Sequence, residues 1–135
     1  MSEREILVID DDPIILMIHQ AVLESALPDS TCKYFEDAGD ALLYMEEQKE
    51  QCKKFLLLLD INMPMISGWD LVEEVSASVF KENVSVVMVT SSINERDKQK
   101  ANTYDNIYDF ISKPLKEEHL EKLKQIKEIT DFIAQ

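Results

Sequence analysis

The sequence predicts a doubly wound α/β domain, in which five parallel strands form one sheet with helices on both faces. Short apolar runs alternate five times with helix-length amphipathic segments, a pattern typical of parallel sheets. The first, third and fourth runs are the most continuously apolar, as expected for strands buried on both faces. Since central strands are covered on both sides, these three should lie in the middle. The strand order 2-1-3-4-5 fits this assignment.

The strands are predicted from their side chains. The third run, in which Phe55 is followed by four leucines, is the clearest strand without a polar face. The second and fifth runs are weaker because one carries Lys33 and the other carries Asp109, so both are placed at the edges of the sheet. The predicted strands are residues 6–9, 31–35, 55–59, 84–89 and 107–111.

The helices are predicted from apolar spacing and from the residues at their ends. Pro13 suits the first turn of a helix, and Pro28 lies just beyond the end of the same helix. Asn94 suits the N-cap of a short fourth helix. The predicted helices are residues 14–26, 38–49, 69–80, 95 to about 102, and 115–133.

Composition limits the classes of function. The chain has 135 residues, which suggests one domain, and its net charge is −13 at pH 7. Nucleic acids and anionic membranes attract basic patches, so neither is an expected partner. No apolar stretch approaches the ~20 residues of a membrane span, and the charged N-terminus does not resemble a signal peptide. Cys32 and Cys52 fit no zinc pattern and are typical of a reducing compartment, so we expect a cytoplasmic protein.

Acidic residues follow the first and third predicted strands. Asp10, Asp11 and Asp12 come directly after the first strand, and Asp60 follows the third. In the predicted order these strands flank the switch point, where open α/β sheets bind ligands. Adjacent carboxylates repel one another unless a cation intervenes, and hard oxygen ligands suit Mg²⁺. Alone, the acidic triplet also fits a turn that caps the next helix, but its place opposite Asp60 favours metal binding.

Polar residues that can stabilise a phosphoryl group follow the fourth and fifth strands. Thr90 ends the fourth strand, where its hydroxyl can donate to a phosphoryl oxygen. Lys113 follows the fifth strand, where its ammonium can pair with Asp60. Each has an ordinary alternative, since a threonine here can cap a helix and a loop lysine can simply be exposed. The agreement of all four strand ends favours one common site.

Together these side chains predict an aspartate that accepts a phosphoryl group. Asp60 is the expected nucleophile toward phosphorus. Mg²⁺ held by Asp11, Asp60 and the backbone carbonyl of Asn62 would screen the negative charges that approach one another, while Asp10 acts through metal-bound water. The lysine and threonine at the other strand ends stabilise charge on the transferring oxygens.

These motifs resemble those of receiver domains, the phosphoacceptor modules of bacterial two-component response regulators. The resemblance covers essentially the whole chain and rests on ILVIDDDP at 6–13, LDINMP at 59–64 with Gly68, VTS at 89–91, and Lys113 with Pro114. It implies a flavodoxin-like fold and phosphorylation of Asp60 by a phosphohistidine, carried by a sensor histidine kinase or a histidine phosphotransfer protein. By this resemblance the protein is not an enzyme for other substrates, since it catalyses only its own phosphorylation and dephosphorylation.

The resemblance also implies a switch and an output. Thr90 moves toward the phosphoryl group, Phe110 rotates inward, and the face formed by the fourth helix, fifth strand and fifth helix is remodelled for a downstream protein target. Asn62 and Ser92 occupy the positions that tune the lifetime of the phosphoryl group. After Pro114 there is room for one helix, so residues 1–135 are expected to be a single receiver domain without an effector domain.

Two other functions are compatible with part of the motif pattern, and the two histidines need an interpretation. A haloacid-dehalogenase-type phosphatase uses an Asp-x-Asp pattern that Asp10 and Asp12 imitate, but it would leave Asp60 without a role and needs a longer chain. A pseudo-receiver would bind partners without taking phosphate, and the complete set of strand-end residues argues against it. His19 and His119 lack neighbouring metal ligands and are interpreted as packing or surface histidines.

Overall fold

The structure, a computed structural model, describes residues 3–91 and 94–133. The strands within them are β1 (Arg4–Ile9), β2 (Cys32–Phe35), β3 (Lys54–Leu59), β4 (Val84–Thr90) and β5 (Ile107–Ser112). They form one parallel sheet in the order β2-β1-β3-β4-β5, which confirms the predicted fold and strand order. The strand bounds differ from the predicted ones by at most two residues.

Helices cover both faces of this sheet. They are α1 (Pro13–Ala26), α2 (Ala38–Glu47), α3 (Gly68–Ser76), α4 (Glu95–Ala101), α5 (Glu117–Leu123) and α6 (Lys127–Ile133), with short 3₁₀ turns at Lys49–Gln51 and Lys81–Asn83. Buried side chains of α1, α5 and α6 pack on one face, and those of α2 and α3 pack on the other. Among the described residues, no helix combines the length and the apolar character needed to cross a bilayer.

β3 shows why a continuous apolar run predicts a central strand. Leu57 and Leu59 belong to the core shared with α2 and α3, whereas Leu56 and Leu58 belong to the core shared with α1, α5 and α6. The four leucines are at most 2% exposed. Side chains alternate between the faces of a strand, and burying each leucine contributes roughly 1.5–3 kcal/mol. The strand that carries Asp60 is therefore fixed from both sides.

The last predicted helix, 115–133, is wrong as a single element, because α5 and α6 are separated by a break. The hydroxyl of Thr130 donates to the carbonyl oxygen of Lys124 at 2.8 Å and to that of Ile126 at 2.9 Å. A side chain thus competes for carbonyls at the break, which is how threonine interrupts regular helix bonding. The interruption lets Ile129 and Ile133 of α6 pack into the same core as α5.

Two further helices end before the predicted residue. α3 stops at Ser76 rather than at residue 80, and the hydroxyl of Ser78 donates to the carbonyl oxygen of Val75 at 2.6 Å. α2 stops at Glu47, two residues before the predicted end, and a 3₁₀ turn follows it. Both differences lie far from the strand ends that carry the candidate site residues, and they leave those strand ends unchanged.

Gly68 begins α3 in close contact with the backbone that follows β3. A methyl group on its α-carbon would lie 2.3 Å from the carbonyl oxygen of Asp60 and 2.9 Å from the α-carbon of Ile61. The N–H of Gly68 also donates to the carbonyl oxygen of Ile61 at 2.9 Å. Since both close contacts are with backbone atoms, a larger residue can fit only if the loop after Asp60 moves.

We expect Gly68→Ala to lower the free energy of unfolding by about 1–3 kcal/mol, because of this overpacking. Gly39→Ala is the matched control, since a methyl group there would meet the side-chain carboxylate of Asp37 at 2.9 Å and the terminal carbon of Ile66 at 3.5 Å, both of which can move. Urea unfolding followed by circular dichroism measures both variants. Equal losses of stability would contradict the close approach at Gly68.

Candidate functional site

The carboxyl ends of β1 and β3 bring three aspartates together. Asp10 and Asp60 are buried, with 1% and 3% of their surface exposed, whereas Asp11 is exposed beside them. One carboxylate oxygen of each lies within 4.8 Å of the others, so that a single cation can contact all three. This proximity follows from the sheet register, because β1 and β3 are neighbours and Ile9 pairs with Leu59.

The residues of the acidic triplet have different roles: Asp12 caps the first helix, whereas Asp10 and Asp11 belong to the acidic cluster. Asp12 is the N-cap of α1 and accepts a hydrogen bond from the N–H of Ile14 at 2.9 Å. The N–H of Asp12 itself donates to Oδ1 of Asp10 at 2.9 Å. The capping alternative therefore applies to Asp12, while Asp10 faces Asp60. An Asp-x-Asp pair of the phosphatase kind is not formed, since Asp12 lies outside the acidic cluster.

Lys113 binds two of these carboxylates. Its ammonium lies 2.6 Å from Oδ2 of Asp10 and 3.3 Å from Oδ2 of Asp60, and its side chain is 11% exposed. Burial lowers the pKa of Lys113, but the hydrogen bond and the negative charge of Asp10, together with Asp60, outweigh burial and raise the pKa. The lysine is therefore a protonated part of the site, and the alternative of an exposed loop lysine does not apply.

The negative charges of the cluster exceed this one positive charge. Burial raises the pKa of Asp60, and Asp10 raises it further, while Lys113 and the N–H of Asn62 act in the opposite direction. The fold thus disfavours the ionised form of Asp60, and a further cation beside it would relieve that cost. Three carboxylates offer the hard oxygen ligands that a divalent ion such as Mg²⁺ prefers.

Among residues 3–91 and 94–133, two buried oxygens at this edge have neither a hydrogen-bond partner nor an ion-pair partner, whereas Oδ2 of Asp10 has only the ammonium of Lys113. The two oxygens are Oδ1 of Asp60 and Oγ1 of Thr90, whose residue is fully buried at the end of β4. Thr90 does not cap the next helix, because Asn94 accepts from the N–H of Asp97 at 2.8 Å, as the sequence predicts for Asn94. Roughly 90% or more of buried polar groups are paired. Two unpaired oxygens on adjacent strands therefore point to a ligand.

The loop from β3 to α3 forms one wall of the site. The backbone N–H of Asn62 lowers the pKa of Asp60. The role of the Asn62 carbonyl as a metal ligand stays a prediction. Ser67 caps α3 in a reciprocal pair of hydrogen bonds with Asp70, which fixes the far end of the loop. Ser92, at the second position predicted to tune the phosphoryl lifetime, lies outside the described residues.

Phe110 lies on the edge strand β5 and is half-buried. Its ring packs against the core shared with α2 and α3. In the register between β4 and β5 it pairs with Met88, two residues before Thr90. The two residues of the predicted switch thus lie on adjacent strands. Inward rotation of the ring stays a prediction.

A cluster that the sequence analysis did not identify joins α3 to α4 and the segment after it. The Trp69 ring stacks on the Tyr104 ring, with centroids 6.1 Å apart, and the ammonium of Lys100 lies 4.8 Å from the centre of the Trp69 ring. The Tyr104 hydroxyl donates to Glu73, a bond that, with burial, raises the pKa of Tyr104 to about 12. The spacing of Trp69 and Glu73 on one helix face is its one local signal.

Both histidines accept hydrogen bonds from backbone N–H groups. Nε2 of His19, which is 2% exposed, accepts from Leu115 at 3.1 Å. Nδ1 of His119 accepts from Lys116 at 3.0 Å. These contacts agree with the interpretation of His19 as a packing histidine. The His19 bond also connects α1 to the loop that holds Lys113, a link of which the sequence carries no sign.

Comparison with protein families identifies the family to which the chain belongs. The model of the response regulator receiver domain matches residues 6–125. The chain belongs to this family. Receiver domains are phosphoacceptor signalling domains of two-component systems, which work with histidine kinases or phosphotransfer proteins, and they generally use Mg²⁺.

Individual relatives of this receiver domain agree with the assignment. Over 127 residues it is 28% identical to "Hybrid signal transduction histidine kinase C" of Dictyostelium discoideum, covering 89% of the chain and 10% of the kinase. Over 134 residues it is 27% identical to "Two-component response regulator ARR7" of Arabidopsis thaliana, covering 92% of the chain and 62% of that regulator. The chain thus spans less than two thirds of either relative.

A solved structure of a two-component response regulator from Cytophaga hutchinsonii resembles the whole domain. Its TM-score is 0.84 and its sequence identity is 25%, and the match covers 96% of this chain and 99% of that one. The flavodoxin-like arrangement implied by the sequence motifs is therefore the fold of this receiver domain.

Proposed function

We propose that this receiver domain accepts a phosphoryl group on Asp60 from a phosphohistidine, with Mg²⁺ bound beside the carboxylate. The observation that carries the proposal is the incomplete pairing of the Asp60 carboxylate. Lys113 holds its Oδ2 at 3.3 Å, and its Oδ1 has no hydrogen-bond partner among the described residues although it is buried. An oxygen with free lone pairs, held at the end of a central strand, is suited to attack phosphorus.

The transfer needs few protein groups. An oxygen of Asp60 forms the new bond to phosphorus as the bond between phosphorus and the donor's imidazole nitrogen breaks. The electron pair of the broken bond stays on that nitrogen, and Asp60 becomes an acyl phosphate. The ammonium of Lys113 and the buried hydroxyl of Thr90 then offset negative charge on the phosphoryl oxygens, so that catalysis rests on positioning and electrostatics.

The cluster fits Mg²⁺ in a particular way. Asp10 already uses both oxygens, since Oδ1 accepts from the N–H of Asp12 at 2.9 Å and Oδ2 pairs with Lys113 at 2.6 Å. This supports direct ligation by Asp11 and Asp60, with the Asn62 carbonyl as a further ligand and Asp10 acting through water. When bound, the ion screens the charge between Asp60 and the incoming phosphoryl oxygens.

The surroundings of the site support a protein as the phosphodonor. Ile14 and Met17 of α1 are 66% and 69% exposed, and Met65 in the loop after β3 is 97% exposed. α1 begins two residues after Asp11, and Met65 lies five residues after Asp60, so both segments border the cluster along the chain. Exposed apolar groups beside a polar site mark surfaces where partners bind. We assign this border to the kinase or phosphotransfer protein that presents the phosphohistidine.

The output is assigned to a protein target rather than to nucleic acid. The net charge of −13 disfavours binding to a polyanion. The target would bind the face of α4, β5 and α5, on which Phe110 is half-buried. Cys32 and Cys52 are both free thiols, which supports a reducing compartment such as the cytoplasm.

Mg²⁺ should stabilise the folded domain, because it relieves repulsion within the acidic cluster. Ligand linkage gives about 2.7 kcal/mol when the ion is present at a hundredfold excess over its dissociation constant. We expect Asp11→Asn to remove most of the Mg²⁺-dependent rise in melting temperature. Glu46→Gln, which neutralises an exposed carboxylate on α2, should keep the full effect. A wild-type melting temperature that does not respond to Mg²⁺ would contradict the metal site.

Acetyl phosphate with Mg²⁺ should add one phosphoryl group, at Asp60. Asp60→Asn removes the nucleophile and should abolish the modification, while Glu46→Gln should be phosphorylated like the wild type. Lys113→Ala should slow the reaction at least tenfold, in line with the loss of about 10² or more that follows removal of one charge-stabilising donor. Intact mass spectrometry and mapping of the acid-labile site provide the measurement. Stable phosphate on Ser67, Thr90 or Ser91 would sink the assignment.

Phosphorylation should cause a conformational change on the output face, the surface of α4, β5 and α5. Beryllofluoride with Mg²⁺ imitates the phosphoryl group, and drawing Thr90 toward it vacates space that Phe110 can fill. We expect amide NMR shifts at residues 90–102 and 107–111, little change at 31–49, and a change in the fluorescence of Trp69, which contacts Lys100 of α4. Thr90→Ala should bind the ligand without these distant shifts. Perturbation confined to the acidic cluster, or full transmission by Thr90→Ala, would refute the coupling.

A further inference from the structure

The loop that carries Lys113 is attached to the rest of the domain at two points. On one side, the N–H of Lys113 donates to the backbone carbonyl oxygen of Thr90 at 3.0 Å. On the other side, the N–H of Leu115 donates to Nε2 of His19 at 3.1 Å, in a buried hydrogen bond between residues 96 positions apart. The backbone of Lys113 is thus bracketed between β4 and α1.

The hydrogen bond between His19 and Leu115 lies in the interior of the domain. His19 is 2% exposed and Leu115 is 1% exposed, so water does not compete for the Leu115 N–H. A buried backbone N–H that loses its acceptor keeps the full cost of its removal from water, with no hydrogen bond to offset it. The loop must therefore either keep this acceptor or shift until the N–H finds another partner.

The role of acceptor requires a neutral imidazole with the proton on Nδ1, since a protonated histidine has no free lone pair. Burial lowers the pKa of His19; Asp10 opposes this effect and Lys113 adds to it, and the pKa remains below its ordinary value. The neutral form is consequently the one present near pH 7. This agrees with the direction of the hydrogen bond to Leu115.

We propose that His19 is a positioning residue for phosphorylation, which fixes the loop after β5 so that Lys113 reaches both Asp10 and Asp60. The inference rests on the proposed function of Asp60 as the phosphoryl acceptor. Lys113 must bind two carboxylates at 2.6 Å and 3.3 Å with one ammonium. Displacing a charge-stabilising group by ~1 Å can cost up to about 10²-fold in rate, so the anchor two residues away bears directly on the chemistry.

The decisive comparison is between two replacements of His19. His19→Leu keeps an apolar side chain in the core but removes the acceptor, whereas His19→Gln keeps an acceptor oxygen on a side chain of similar reach. We expect His19→Leu to slow phosphorylation by acetyl phosphate with Mg²⁺ by about tenfold to a hundredfold, and His19→Gln to restore the rate to within about threefold of the wild type. His119→Leu, which removes the other histidine acceptor, should leave the rate unchanged.

Two NMR measurements separate this inference from the proposed function. In the wild type, the imidazole nitrogen shifts of His19 should show Nε2 unprotonated and Nδ1 protonated. The side-chain resonances of Lys113 should move in His19→Leu and return toward their wild-type positions in His19→Gln. Both measurements are made without phosphorylation, and the first needs no variant, so it decides the case even if His19→Leu does not fold.

The outcomes have distinct meanings. A wild-type protein that takes no phosphoryl group overturns the proposed function, and the Lys113 resonances then still test the anchor. A protonated Nε2 in the wild type overturns the inference about His19. So does a His19→Leu variant with unchanged Lys113 resonances or rate, or a His19→Gln variant as slow as His19→Leu, because the acceptor would then not be what matters.

Discussion

An excess of negative charge at the carboxyl end of the central strands is the constraint on which the rest of the site depends. Parallel pairing of β1 with β3 forces the residues that follow them into contact, and both strands end in aspartates. Like charges at this separation raise the cost of ionisation, and burial adds to it. The domain keeps Asp10 and Asp60 buried because Lys113 contacts both. The lysine therefore has to be held in place as firmly as the carboxylates.

Several local features serve that requirement. Asp12 caps α1 and its N–H binds Asp10, so the turn after β1 has a defined shape. Gly68 allows α3 to begin against the backbone of Asp60, where any side chain would collide. At the end of β5, backbone and imidazole acceptors hold both sides of the Lys113 loop. The glycine and the two acceptors act on backbone, and the N–H of Asp12 takes Oδ1 of Asp10, so that none of these features uses an oxygen of Asp60.

Much of this could be predicted from sequence because the signal is local. An apolar run such as 55–59 shows that a strand is buried on both faces, and the order of such strands follows from which runs contain Lys33 or Asp109. Once the strands are ordered, a parallel sheet places the residues that follow them together. The ends of helices are harder to predict from sequence, because hydroxyls such as that of Thr130 interrupt helices whose apolar spacing continues.

The long-range polar contacts could not be predicted in this way. The bond between His19 and Leu115 joins residues 96 positions apart, and its existence depends on how α1 packs beside the end of β5. The cluster of Trp69, Lys100 and Tyr104 depends in the same way on how α3 and α4 meet. Periodicity reports which face of an element is buried, but it does not report which polar atom on one element meets which atom on another.

A second buried carboxylate shows how the surroundings of Asp60 differ from those of an ordinary acid in the core. Glu5, near the opposite end of β1, is 5% exposed, and Lys53 contacts its Oε2 at 3.4 Å while the Tyr44 hydroxyl donates to its Oε1. Both oxygens of Glu5 therefore have partners, as structural buried acids usually do. Asp60 differs in its open Oδ1 and in the second carboxylate that shares its lysine. Burial alone does not distinguish the two residues; incomplete pairing at a strand end does, and it is the state that a phosphoryl group and a divalent cation would complete.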